Sequence, residues 1–102
     1  MKRTTLDHAA HPRLRGSPRA ERARAAFRDG VRLKRPRLSE HLREFASAAR
    51  ETAAAFPAEA EDLLAAAQEA DRAALDLVDC DGASYGRLAA EFAAGLDKAA
   101  IE

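Results

Sequence analysis

Tryptophan is absent from this chain, cysteine and methionine occur once each, and the aromatics are one tyrosine and four phenylalanines. With Cys80 alone, no intrachain disulfide and no cysteine-based zinc framework can form, which fits a reducing, intracellular setting. No run of about 18 apolar residues occurs, so no transmembrane helix and no membrane partner are expected. The first ten residues carry Lys2 and Arg3 without the apolar stretch of a secretion signal. The expectation is a soluble cytoplasmic protein.

The signatures of catalysis are also missing. There is no Ser-His-Asp or Cys-His arrangement, no P-loop and no Gly-x-Gly-x-x-Gly. The single thiol, Cys80, lies between Asp79 and Asp81, whose charge disfavours the thiolate a nucleophile needs. Asp76, Asp79, Asp81 and Gly82 invite comparison with a calcium loop. With Gly82 as its sixth position, the first and twelfth are Leu77 and Leu88, so both end ligands fail. His8 and His11, beside Asp7, have a spacing that suits a divalent metal on a helix, but Pro12 follows and no third ligand is identifiable. The sequence thus points to no enzyme, no metal, no cofactor and no small-molecule substrate.

What the chain has in abundance is charge, laid out unevenly. Formal net charge is zero, with 17 basic and 17 acidic residues. Residues 1–50 nevertheless carry 14 Lys+Arg against 5 Asp+Glu, and residues 51–102 carry 3 against 12. Asymmetry of +9 against −9 suggests a nucleic-acid arm, an acidic surface for a basic partner, or self-complementary association. The basic excess is densest in Arg13, Arg15, Arg19, Arg22, Arg24, Arg28, Arg32, Lys34, Arg35 and Arg37, opposed locally only by Glu21 and Asp29. Such a stretch neutralises phosphates independently of sequence. Phe27 is its only aromatic, so base stacking on a single strand is disfavoured. The bias towards arginine over lysine is also a mark of GC-rich coding, which lowers the weight of the signal.

A chain of 102 residues makes one small domain. Residues 1–16 have no sustained period and are expected to form a flexible arm. Ser17-Pro18 is a helix-start signal, and Ala20, Ala23, Phe27 and Val31 then share a face of a helix over about 18–34. Gly30, costing ~1 kcal/mol relative to Ala in a helix, offers an alternative end at Arg28. Pro36 breaks the chain, making 17–37 a basic helix or linker. Ser39 is the expected cap of a second helix over 39–55, with Leu38, Leu42, Phe45, Ala46, Ala49, Ala53 and Phe56 on its face.

Pro57 starts a third helix over 58–79, whose seam is Leu63, Ala67, Ala70, Ala74 and Leu77. Gly82 ends it, and Ser84 caps a fourth over 85–100 with Tyr85, Leu88, Phe92 and Leu96 inward. The fold class is therefore all-α: a small helical bundle over 38–102, built from an αα-hairpin plus a C-terminal helix and preceded by the basic helix or arm. Its alanine-rich faces bury little area, so a homodimer or a protein partner across the 63–77 seam is expected.

The expected function is that of a small non-enzymatic regulator. The ten cations of 13–37 contact DNA or RNA, and the acidic helices bind a partner or a second protomer. A helix-turn-helix reading is weak, because the turn at 35–38 lacks glycine and only Arg43 near the start of the second helix suits base contact. The alternative is a protein-interaction module, as adaptor, inhibitor or subunit of a larger assembly, without any nucleic-acid role.

Overall fold

Caps and prolines set where the helices begin, and the supply of large apolar side chains decides how they assemble. The computed structural model describes residues 6–101, with side chains through 97. Residues 1–5 of the expected arm, and residue 102, lie outside the described residues. All regular elements among the described residues are helical, in agreement with the expected class. They are α1 (Pro12–Arg15), α2 (Pro18–Arg32), α3 (Leu38–Ala55), α4 (Ala60–Asp79) and α5 (Gly82–Ile101), with 3-10 turns at Asp7–Ala10 and Pro57–Glu59.

α2 starts as its sequence indicates. The Ser17 Oγ accepts the Ala20 N–H at 3.2 Å, and Pro18 fills the first turn, where a missing N–H costs nothing. Gly30 does not end the helix. A Cβ built there would lie 2.4 Å from the Leu38 Cδ2, so the glycine admits the close approach of the first residue of α3.

Two expected caps are replaced. Arg37, not Ser39, precedes α3, with a left-handed backbone (φ 61°) and no side-chain cap. The orphan N–H of Leu38 instead donates to the Tyr85 hydroxyl of α5 at 3.3 Å. α5 starts at Gly82 rather than at 85, because the Asp81 carboxylate accepts the Ser84 N–H at 2.8 Å in the role expected of Ser84. That hydrogen bond holds the Asp81 carboxyl below its ordinary range.

α3 and α4, joined across Phe56 and the Pro57–Glu59 turn, share the most extensive packing. Their shared face is rich in alanine, with Ala46, Ala49, Ala70 and Ala74 fully buried. A hairpin of this kind buries little area per residue, and the missing bulk comes from the N-terminal segment. Leu6 and Leu14 are each 1 % exposed and Phe27 is 0 % exposed. Instead of hanging free as an arm, residues 6–16 therefore lie on the core, and the core is not confined to 38–102. α5 packs against α2 and the first 3-10 turn more than against α4.

Candidate nucleic-acid interface

The ten basic residues of 13–37 divide into two sets of five. In the first set, each guanidinium meets an acid. The Arg13 Nε donates to Glu59 at 2.8 Å, and its guanidinium lies 4.0 Å above the Phe56 ring. Arg19 bridges Glu44, at 2.5 Å, and Glu51. Arg24, with a side chain 13 % exposed, pairs with Glu21 at 2.6 Å and Asp97 at 3.0 Å. Arg28 reaches Asp97 and Arg32 reaches Asp29, both at 3.8 Å.

Several of these pairs join the basic half to the acidic half. Glu59, Glu51 and Asp97 receive Arg13, Arg19, Arg24 and Arg28, while Glu69 receives His8 and Asp71 receives Arg50. The polarity legible in the sequence is thus partly satisfied within the fold. The hydrogen bond from Arg19 holds the Glu44 carboxyl below its usual range. His8 donates its backbone N–H to Glu69 at 3.0 Å and pairs with it through Nδ1, which raises the imidazole above its ordinary value.

The second set, Arg15, Arg22, Lys34, Arg35 and Arg37, forms no ion pair among the described residues. Its last three members sit together in the turn between α2 and α3, exposed around Pro36. The turn is locally fixed: the Leu33 N–H bonds the Asp29 carbonyl at 2.9 Å, and the Arg35 N–H bonds Gly30 at 2.8 Å. Lys34 (φ 53°) and Arg37 (φ 61°) both hold left-handed backbone, each at a cost of about 1 kcal/mol for a side-chain-bearing residue. A strained turn here gathers cations that the rest of the fold leaves without counter-charge. Arg43, the base-contact candidate of the helix-turn-helix reading, is exposed on α3 and forms no ion pair among the described residues.

The expected partner seam is placed elsewhere than on the surface. Leu63, Ala67, Ala70, Ala74 and Leu77 are at most 2 % exposed and belong to the core, so they offer nothing to an external partner. These residues do share one face of α4, but α3 and its neighbours already occupy it. One position further along, Leu64, Leu75 and Val78 are 45 %, 53 % and 58 % exposed. Their spacings of 11 and 3 keep them on one outer stripe of α4, a signal present in the sequence and overlooked beside the stronger seam.

The minor candidates have ordinary surroundings. The His11 Nδ1 accepts the Arg13 N–H at 3.1 Å and caps α1, and its Nε2 faces Glu59 at 3.5 Å. No group of three or more potential metal ligands gathers among the described residues. The Cys80 Sγ donates to the Leu77 carbonyl at 3.3 Å. No described helix is long and apolar enough to cross a membrane. No family model, no curated protein and no solved structure matches this chain.

Proposed function

We propose that the protein is a small non-enzymatic regulator that contacts the phosphate backbone of nucleic acid through the turn between α2 and α3. The supporting observation is that Lys34, Arg35 and Arg37 are exposed together without an acidic partner, while the arginines around them are internally paired. Phosphate contact by such a turn is electrostatic and independent of sequence, and the near absence of aromatics favours duplex over single strand. Arg15 and Arg22 are available to extend the contact. Fluorescence anisotropy with a labelled DNA duplex at low salt tests this reading. The intact protein binds, and the combined Lys34→Gln, Arg35→Gln and Arg37→Gln variant binds at least about tenfold more weakly. Equal binding by both proteins overturns the reading.

The exposed stripe on α4 favours a second contact, to protein. Leu64, Leu75 and Val78 are flanked by exposed Glu61, Asp62 and Asp79, so the stripe suits a basic amphipathic partner better than a second acidic copy. Sedimentation at rising concentration separates the two occupants. A monomer throughout fits a heteromeric partner, and a dimer abolished by Leu75→Glu assigns the stripe to self-association. If duplex binding fails while this stripe binds protein, the molecule is an interaction module alone.

A further inference from the structure

Beside the basic turn, residues far apart in sequence line a half-open cavity of about 360 Å³. Buried Leu38 and Ala89 form its base together with half-buried Val31 and Tyr85, and exposed Lys34 and Arg35 stand at its mouth. We infer that this cavity binds a small anionic amphiphile, with a carboxylate head at Lys34 and Arg35 and an apolar chain over Val31, Leu38 and Ala89. The inference shares two cations with the phosphate reading but does not rest on it.

Three features select that ligand class. The volume lies at the lower end of small-molecule sites, which excludes a bulky cofactor. The base is apolar, so a bare inorganic anion would leave it uncovered. Neither cation at the mouth has an internal counter-charge among the described residues, so an acidic head finds two donors whose ion-pairing capacity is unused. A neutral or cationic amphiphile of equal length gains only the apolar contact, and the cation is repelled as well.

The cavity wall supplies a clean way to test the assignment. Gly86 lines it from α5, and a Cβ added there meets nothing within 4 Å. A larger side chain at that position has open space to occupy at the cavity wall without displacing the fold, and it also gains helix propensity. Calorimetric titrations with decanoate, decanol and decyltrimethylammonium, each below its aggregation concentration, compare three heads on one chain. Decanoate is expected to bind saturably at one site per chain, with the other two at least about tenfold weaker. Gly86→Leu should abolish decanoate binding while keeping the far-ultraviolet spectrum and the affinity for duplex DNA, with a melting temperature no lower than that of the intact protein. Lys34→Gln with Arg35→Gln should weaken decanoate at least about tenfold. Non-saturable decanoate binding, equal binding of the three heads, or unchanged binding by Gly86→Leu overturns the inference. Loss of duplex binding with decanoate binding intact would remove the nucleic-acid reading and leave this one standing.

Discussion

The two parts of the basic stretch differ in what surrounds them more than in what they contain. Between Arg13 and Arg32 five arginines meet carboxylates: from the Pro57–Glu59 turn at Arg13, from α3 at Arg19, from α5 at Arg24 and Arg28, and from α2 itself at Arg32. From Lys34 to Arg37 the chain runs beside α5, where Lys34 and Arg35 line the cavity, but no carboxylate pairs with these cations among the described residues. The same residue type thus serves as internal electrostatic cement in one part and as free surface charge in the other. Charge density along a sequence measures neither role. What separates them is whether the fold brings the opposite half within reach.

The comparison can be broken most forcefully at its base, the claim that the paired part belongs to the core. Leu14→Ala should cost about 2–4 kcal/mol in denaturant unfolding, the range for a fully buried leucine. A cost below about 0.5 kcal/mol would return residues 6–16 to a surface arm. Next in size is the contrast between cations. Arg24→Gln, which strips Glu21 and Asp97 of a mostly buried partner, should cost about 1–2 kcal/mol. The combined Lys34→Gln, Arg35→Gln and Arg37→Gln variant should change stability by no more than about 0.5 kcal/mol. Equal losses from the two would erase the distinction.

Smaller effects sharpen it. Arg37→Gly relieves left-handed backbone and should raise the free energy of denaturant unfolding by about 0.5–1 kcal/mol. The least effect comes from His8, whose value is raised chiefly by its hydrogen bond with Glu69, with Asp62 and Asp7 adding to it. A raised value means that the protonated form is favoured by folding. Its contribution is therefore complete below about pH 6.5 and is lost as pH rises through the higher folded value. The melting temperature of the intact protein should fall between about pH 6 and pH 8.5, and Glu69→Gln should flatten that fall. A parallel fall in both proteins would show that the pair contributes nothing.

Local signals made much of the fold legible. Spacings of 3 and 4 located the four long helices, and Ser17-Pro18 and Pro57 marked starts close to where they occur. One miss is local, with Asp81 three residues before Ser84 taking its capping role, and the others share one cause, a partner distant in sequence. Ser39 gave way to the Tyr85 hydroxyl, which lies 47 positions from the Leu38 N–H that it accepts. Leu6 and Leu14 lack a helical period around Pro12, so only the demand of an alanine-rich core for bulk reveals why they are buried. The seam at Leu63, Ala67, Ala70, Ala74 and Leu77 was legible as a face, but nothing local says which neighbour covers it. For the candidate interface, the sequence offered ten cations without a way to rank them. The counter-charges at Glu59, Glu51 and Asp97 come from the Pro57–Glu59 turn, α3 and α5, and the cavity beside Lys34 needs residues 31–38 and 82–89 side by side.

The salt dependence of duplex binding probes this division most directly, since its slope counts the phosphates neutralised. If the turn acts with only three free cations, log affinity should fall against log salt with a slope of about −3, or about −4.5 with Arg15 and Arg22 engaged. The combined substitution of Lys34, Arg35 and Arg37 should remove about 3 from it. A slope near −9, or one that the triple variant leaves unchanged, would mean that the internally paired arginines bind phosphate too, and would contradict the division of the basic stretch into paired and free charge.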